Sequence, residues 1–246
     1  MGDQLYDGIG EAFEGFKTLP LTRYGEVPAF LALVGDVTGA SVLDLACGTG
    51  FYSRELKRRG AARVFGVDIS GEMIGAARAL EEAEPLGIDY EIGDIGALPH
   101  FDEPFDLAVA VQAFNYARDV AEVERLLAVV HRSLAPGADF FLFTLDPDFR
   151  FDGPSLAKYG FTCVPAGEAT EIGPRIEVTA LLDPPISFVA NPPSRQVFED
   201  SLTKAGFSEV SWVPMRISEA GVREHGEEYW ADWHANPALT LLRCRA

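Results

Sequence analysis

Residues 42–53 read Val-Leu-Asp-Leu-Ala-Cys-Gly-Thr-Gly-Phe-Tyr-Ser, and this stretch decides the fold. The apolar run 42–46 ends at a glycine turn and predicts a buried strand. Gly48 and Gly50 permit backbone angles and a close approach that a β-carbon would block. The helix predicted over Phe51–Arg59 would present free N–H groups and the positive end of its dipole to a ligand. Strand, turn and helix together predict a cradle for a nucleotide-like cofactor.

The residues that follow alternate between strand and helix patterns. A glycine or proline ends most of the predicted helices. Five strands are predicted in this region, at Ser41–Leu45, Arg63–Val67, Ile88–Ile92, Phe105–Val111 and Ala138–Leu145. Such an alternation predicts an α/β fold, a doubly wound sheet of parallel strands covered on both faces and joined by right-handed crossovers.

The remaining segments complete a single domain over residues 1–246, because no internal repeat or low-complexity linker divides them. Residues 1–40 are predicted as a helical arm, and 41–145 as the cofactor-binding core. Residues 146–193 are predicted as a β-rich insertion, a lid or a dimerisation element, with strands at Thr162–Glu171, Arg175–Leu182 and Ile186–Ala190. Residues 194–246 return to the core, with a helix at 195–205, strands at 210–215 and 238–243, and an irregular segment at 216–236.

The composition restricts the class of partner. A net charge of −18 argues against nucleic acid, whose phosphates need a positive surface, and favours a small molecule. The three cysteines have no metal-type spacing and fit a reduced compartment. No apolar run is long enough for a membrane span, and the N-terminus lacks a basic signal region, so a cytoplasmic protein is expected.

Two acidic residues bear on the choice of cofactor. Ser53 stands where the dinucleotide pattern Gly-x-Gly-x-x-Gly has its third glycine. Asp44 precedes the glycines, where a carboxylate would repel a pyrophosphate but suits a ligand with an ammonium group. Asp68 ends the second strand, where a carboxylate can accept hydrogen bonds from both ribose hydroxyls. A cofactor with a nucleoside, an ammonium group and no phosphate fits these positions best.

Several motifs together resemble those of the class I S-adenosylmethionine-dependent methyltransferases. They are Val-Leu-Asp-Leu-Ala-Cys-Gly-Thr-Gly at 42–50, Gly-Val-Asp-Ile-Ser at 66–70 with Met73, Gly-Asp-Ile-Gly-Ala-Leu-Pro at 93–99, and Phe-Asp-Leu at 105–107. Ala-Gly-Phe at 205–207 resembles the turn before strand six of the family. The resemblance implies a mostly parallel, seven-stranded, Rossmann-like sheet and S-adenosylmethionine as cofactor.

The resemblance also implies a role for each matching position. The amino-acid part of the cofactor would be held by Asp44 and the backbone of Ala46, Gly48 and Gly50, with Arg23 or Tyr24 at its carboxylate. Asp68 would bind the ribose and Ile69 would pack on the adenine. Gly93, Asp94 and Ile95 would meet the adenine edge, and Val111 and Gln112 would run past the methionine portion.

Methyl transfer is an in-line displacement at a sulfonium, so a general base is needed only when the acceptor loses a proton. The sequence shows no metal-ligand cluster, so no metal is expected. Aromatic and polar residues for an acceptor pocket are Tyr6, Phe13, Phe114, Asn115, Tyr116, Trp230 and Trp233. Candidate catalytic groups are His225, His234, Asp146 and Tyr116, although the two tryptophans fit the buried face of a short helix equally well and both histidines fit a surface.

The acceptor class stays open between two main alternatives. A narrower similarity, to the toxoflavin-type N-methyltransferases that methylate an azapteridine ring, favours nitrogen methylation of a planar heteroaromatic metabolite of secondary metabolism. Methylation of a phenolic or carboxylate oxygen is the alternative. An NAD-type oxidoreductase on the same sheet is a third possibility. The protein is expected as a monomer or homodimer.

Overall fold

A computed structural model describes residues 15–246, so Tyr6 and Phe13 lie outside the described residues. Its main sheet has seven strands, which are β1 (Ser41–Leu45), β2 (Arg63–Asp68), β3 (Asp89–Ile92), β4 (Phe105–Val111), β5 (Leu134–Leu145), β9 (Ser208–Pro214) and β10 (Leu239–Arg245). Their order across the sheet is β3-β2-β1-β4-β5-β10-β9. The first five are parallel, and β10 runs antiparallel between β5 and β9. The expected mostly parallel, doubly wound α/β sheet is confirmed.

Helices cover both faces of this sheet. They are α1 (Val27–Val34), α2 (Phe51–Arg58), α3 (Gly71–Ala83), α4 (Val120–Ser133), α5 (Arg195–Ala205), α6 (Glu219–His225) and α7 (Ala231–Ala235). Two separate clusters of buried apolar side chains lie between helices and strands. The central strands β1 and β4 are nearly continuous in apolar residues, as expected where both faces of a strand are buried. Among residues 15–246, no helix is long and apolar enough to cross a membrane.

The insertion forms a separate antiparallel sheet, as the sequence predicts. It contains β6 (Phe161–Pro165), β7 (Ile176–Ala180) and β8 (Ile186–Ala190) in that order. The first strand was predicted to continue to Glu171 but ends at Pro165, beyond which the chain turns back through the Thr170–Gly173 hydrogen bond. We call β6–β8 the insertion sheet.

The expectation of irregular structure at 216–236 is wrong. This segment contains α6, a short 3₁₀ turn at Glu228–Trp230, and α7. Ser218 caps α6 by accepting a hydrogen bond from the Gly221 amide, 3.3 Å away. Each helix is too short to show a reliable period in the sequence, so its stability depends on its cap and on packing against the core, where Trp230 and Trp233 are buried.

The chain ahead of α1 contains a π-helical turn at Thr22–Glu26, which runs directly into α1. The amide of Val27 donates to the carbonyl of Thr22, the i→i−5 bond of a π turn. Such turns are rare and often occur at functional sites because they rotate side chains out of the helical register. This turn places Thr22 and Glu26 on the wall of the same cavity.

Candidate cofactor and acceptor site

A cavity of about 320 Å³ lies at the carboxyl ends of β1, β2, β3 and β4. Ligands of open α/β sheets bind at this edge, where the strand order reverses. One part of its wall belongs to the sheet edge, and includes Ala46, Cys47, Gly48, Asp68, Ile69, Gly93, Asp94, Ile95, Val111 and Gln112. The other part comes from the segment before α1, the loop after β4 and the insertion sheet. The cavity therefore has two parts, one at the sheet edge and one beside the insertion sheet, which we call the cofactor part and the acceptor part.

The glycine turn forms the floor of the cofactor part. Ala46 has φ +54° and Gly50 has φ +79°, both in the left-handed region. A β-carbon on Gly50 would lie 2.2 Å from the hydroxyl oxygen of Tyr90, so no larger residue fits there without displacement. The turn therefore needs glycine both for its backbone angle and for its packing against β3.

Asp68 has the geometry of a ribose ligand. Its Oδ2 accepts from the Gly48 amide at 2.8 Å, and its Oδ1 accepts from the Ser70 amide at 2.9 Å. These bonds, together with one from the Ile69 amide, hold the carboxylate in place at the cavity wall. Burial raises the pKa of this carboxyl, and the Ser70 and Gly48 amides oppose the rise.

The end of β2 and the loop after β3 form a slot in the cavity wall. Ile69 is a large apolar side chain with 49% of its surface exposed, and it faces the cavity. Asp94 accepts from the Gly96 amide at 2.7 Å and lies 3.5 Å from Arg125, which leaves its carboxylate on the rim. Ile95 lines the same slot. An apolar wall beside a carboxylate suits a flat ring with an amino group.

The acceptor part is mainly apolar. Tyr116 lies after β4, and its ring centroid is 6.5 Å from that of Phe188 in the insertion sheet. Further apolar walls come from the insertion sheet and the ends of β5 and β10, with Leu145, Leu156, Phe161, Cys163, Val178 and Leu239. Burial raises the pKa of the Cys163 thiol to about 12, so this group is neutral at physiological pH. The insertion sheet thus acts as a wall of the cavity.

Comparison with known proteins identifies the family. A family model described as a methyltransferase domain matches residues 42–137. The ubiquinone/menaquinone biosynthesis C-methyltransferase of Acidiphilium cryptum is 30% identical over 186 residues, which cover 74% of this chain and 72% of that protein. The chain belongs to the class I S-adenosylmethionine-dependent methyltransferase family. This family is one of enzymes, and S-adenosylmethionine is its cofactor.

Two further comparisons agree with the family. The ubiquinone biosynthesis O-methyltransferase of Coxiella burnetii is 30% identical over 131 residues, or 52% of this chain and 54% of that protein. The chain thus spans about half the length of that relative. An S-adenosylmethionine-dependent methyltransferase structure from Mesorhizobium loti has a TM-score of 0.66 and 24% identity, covering 94% of this chain and 100% of that one. That structure shows the fold.

Asp44, the acidic residue of the family motif, lies beneath the glycine turn and is absent from the cavity wall. It is 2% exposed, and the Ser53 hydroxyl donates to its Oδ2 at 2.5 Å. Burial raises the pKa of its carboxyl to about 7, with a smaller contribution from the negative charge of Asp68. The structure therefore encloses Asp44 beneath the turn, whereas the sequence analysis expected it on the wall of the cofactor site.

Gln112 follows β4 in a left-handed conformation with φ +59°. Its side-chain oxygen accepts a hydrogen bond from the side-chain amide of Asn115. The side-chain oxygen of Asn115 in turn accepts from the Thr144 hydroxyl at 2.6 Å. Asn115 is 1% exposed, so it holds Gln112 in position and does not reach the cavity itself. Val111 and Gln112 lie on the wall where the family places the methionine portion.

The segment before α1 presents different side chains from those expected. Arg23 is exposed, with its guanidinium 5.1 Å from the ring centroid of Tyr24, and neither residue lines the cavity. The residues of this segment that do line it are Phe16, Lys17, Leu21, Thr22 and Glu26. The sequence analysis did not single them out, because packing against the sheet edge decides which side chains of this segment face the cavity.

Three aromatic residues expected at the acceptor belong to the hydrophobic core. Trp230 and Trp233 have no exposed surface, and Trp230 stacks on Tyr159 with ring centroids 5.0 Å apart. Phe114 is also fully buried and packs on Phe198, 5.9 Å away, on the opposite face of the sheet edge. None of the three lines the cavity. Tyr116 does, because it is the outward-facing residue of the same turn.

Three candidate bases also lie away from the cavity wall. Asp146 is paired with Arg195, whose Nη2 is 3.1 Å from both carboxylate oxygens. His225 stacks on Tyr229 with centroids 4.5 Å apart, and His234 is exposed on α7. Tyr116 is the remaining candidate from the sequence. In the part of the chain that the structure describes, no group of three or more His, Cys, Asp or Glu side chains could hold a metal ion.

Proposed function

We propose that the protein transfers the methyl group of S-adenosylmethionine to a nitrogen atom of a small planar heteroaromatic metabolite. The observation that carries this function is the single cavity that joins the family's cofactor residues to an apolar pocket. Tyr116 and Phe188 border this pocket with ring centroids 6.5 Å apart, which favours a flat acceptor.

Positioning and desolvation supply the acceleration in this proposal. The methyl group of the sulfonium moves in line to the acceptor lone pair, the C–S bond breaks, and sulfur keeps the electron pair. The insertion sheet excludes water from the acceptor part. The neutral Cys163 thiol and the apolar residues beside it provide no charged partner, so this wall suits an uncharged acceptor.

Nitrogen is favoured over oxygen because of where the candidate bases lie. A ring nitrogen attacks with its free lone pair and needs no base, whereas a phenol must lose its proton. Asp146, His225 and His234 do not reach the cavity wall. An azapteridine-type ring fits this pocket chemistry.

Methylation of a phenolic oxygen is the second candidate. It is favoured by the likeness to the Coxiella burnetii relative, which is named an O-methyltransferase of ubiquinone biosynthesis. In this case Tyr116, on the loop after β4, is the candidate base from the sequence that lines the acceptor part of the cavity. The two candidates differ in the atom that carries the methyl group in the product.

The test is incubation with methyl-labelled S-adenosylmethionine and a panel of heteroaromatic and phenolic acceptors, with products read by mass spectrometry. A labelled N-methyl product supports the proposal, and a labelled O-methyl product supports the second candidate. Absence of transfer to any acceptor, from protein that binds S-adenosylhomocysteine, overturns the acceptor class. Absence of cofactor binding, with Asp68→Ala indistinguishable from wild type, overturns the function.

The role of the insertion sheet is tested by a matched pair of variants on β8. Phe188 faces the cavity, whereas its neighbour Val189 is 41% exposed on the outer face. We expect Phe188→Ala to lower kcat/KM for the acceptor roughly tenfold or more through lost packing, with unchanged affinity for S-adenosylhomocysteine. Val189→Ala should leave both unchanged. Equal effects of the two variants would contradict a cavity wall made by this sheet.

A further inference from the structure

The topology of the sheet sets the direction in which the cofactor lies. Asp94 follows β3, Asp68 ends β2, the glycine turn follows β1 and Gln112 follows β4, in that spatial order. Neighbouring strands are about 4.8 Å apart, so these four positions span roughly 14 Å. With adenine at β3 and ribose at β2, the amino-acid end of the cofactor lies over β1 and β4.

Glu26 lies at this amino-acid end. Its Oε1 accepts from the hydroxyl of Tyr52 at 3.0 Å, and Tyr52 is the second residue of α2, directly after the glycine turn. Glu26 and Tyr52 both line the cavity. Among the described residues, the bond from Tyr52 is the hydrogen bond that the Glu26 side chain makes, so the carboxylate keeps acceptor capacity toward the cavity.

Lys17 supplies the opposite charge on the same wall. It is the one lysine or arginine among the described residues that line the cavity, and its ammonium is 4.0 Å from the ring centroid of Phe51 at the start of α2. It interacts electrostatically with Glu26. A cation and a carboxylate on one wall match the two charges of an α-amino acid.

The other carboxylates of the wall are placed elsewhere. Asp68 is at the ribose position, and Asp94 and Glu122 share Arg125 near the adenine slot. Asp44, the acidic residue of the family motif, is enclosed beneath the turn. Glu26 is therefore the carboxylate that the fold presents to the amino-acid end.

We propose that Glu26 binds the α-ammonium group of the cofactor and Lys17 faces its α-carboxylate, in the role that the motif residue Asp44 suggests from sequence. This inference rests on the cofactor of the proposed function. The helical turn Thr22–Glu26 makes it possible, because residues four apart share one helix face and this face lies on the cavity wall. The pair distinguishes the full cofactor from its nucleoside.

Cofactor affinity then depends on pH. Burial raises the pKa of the Glu26 carboxyl to about 7, opposed by the Tyr52 hydrogen bond and the Lys17 charge, which are the groups that face it. Only the ionised carboxylate attracts an ammonium group. Affinity for a ligand with an amino-acid end should fall roughly eightfold between pH 7.5 and pH 6, as the ionised fraction falls.

The experiment is isothermal titration of the full chain with S-adenosylhomocysteine and with 5′-methylthioadenosine, which has the same nucleoside and thioether but no amino-acid end. We expect Glu26→Gln to weaken binding of S-adenosylhomocysteine roughly 10- to 100-fold and to leave that of methylthioadenosine unchanged. Lys17→Met should act in the same direction. Glu26→Asp should recover part of the affinity, and Glu103→Gln, on an exposed loop, is the matched control.

The pH series separates recognition from a structural role. Wild type should lose affinity for S-adenosylhomocysteine below pH 7, whereas Glu26→Gln and the methylthioadenosine titrations should stay flat. The inference is overturned if Glu26→Gln binds both ligands as wild type does, or weakens both equally. Wild type that binds neither ligand would instead overturn the proposed function, so the two failures are distinguishable.

Discussion

Left-handed backbone conformations mark the cavity at the scale of single residues. Among the described residues, three other than glycine have a positive φ, and two of them, Ala46 and Gln112, line the cavity. Each costs about 1–2 kcal/mol relative to a right-handed conformation. Such strain persists only where the surrounding structure holds the residue, as the Asn115–Gln112 hydrogen bond does. Backbone strain therefore coincides with the cavity wall at the ends of β1 and β4.

Gly50 allows a direct test of the glycine turn. Gly50→Ala forces an alanine into φ +79° and against the ring of Tyr90, so we expect a loss of about 2 kcal/mol or more in the free energy of unfolding. The measurement is urea denaturation. Gly75→Ala is the matched control: Gly75 lies inside α3 with no atom within 4 Å of an added β-carbon, so this variant should gain about 0.5–1 kcal/mol. Equal losses in both would contradict the strain explanation.

The helices and strands differ in how well the sequence predicts them. The βα units of the core are long and strongly patterned, so most of their bounds were predicted within one or two residues, as for α2 and α4. The start of β5 is the exception, since it was predicted at Ala138 and lies at Leu134. The helices at 219–235 were missed because each has five to seven residues and depends on tertiary contacts. The same dependence on tertiary contacts explains why Trp230 and Trp233, expected at the acceptor site, lie in the core. Aromatic residues three apart fit a core face and a binding face equally well, and only packing separates the two.

Trp230 tests the core assignment of this C-terminal segment. It stacks on Tyr159 and donates from Nε1 to the Gly221 carbonyl at 3.0 Å. We expect Trp230→Ala to lower the free energy of unfolding by about 3–5 kcal/mol, from lost burial and a cavity. The half-buried Trp212, changed to alanine, is the control and should cost less.

The readouts are urea denaturation and titration with S-adenosylhomocysteine. The folded fraction of Trp230→Ala should keep wild-type affinity for this ligand, because Trp230 does not line the cavity. A variant as stable as wild type that fails to turn over an acceptor would restore Trp230 to the acceptor site.

At the scale of the whole molecule, a charge of −18 is combined with two carboxylates whose pKa values lie near 7. A carboxyl whose pKa is raised on folding contributes stability that is fully present at pH values below its pKa in the unfolded chain. That contribution is lost as the pH rises through its pKa in the folded protein. For Asp44, the pH range over which this contribution is lost runs from about 4 to about 7.

Asp44→Asn removes this titration from a site that is almost fully enclosed. Relative to wild type, the variant should gain stability as the pH rises from 5 to 7.5, by up to about 1.4 kcal/mol per pH unit. Urea denaturation at several pH values measures the difference, and Asp102→Asn on an exposed loop is the control. A difference that does not change with pH would show that Asp44 titrates normally in the folded protein.

The sequence alone determined the sheet, the glycine turn and the family, because each is encoded by local patterns: apolar strands, left-handed glycines and acidic strand ends. The tertiary structure decided which side chains line the cavity. Asp44 lies beneath the turn, Trp230 and Trp233 lie in the core, and the segment before α1 carries Glu26 on the cavity wall. The physical reason is that exposure depends on packing between segments distant in the chain, here the segment before α1, the glycine turn and the insertion sheet.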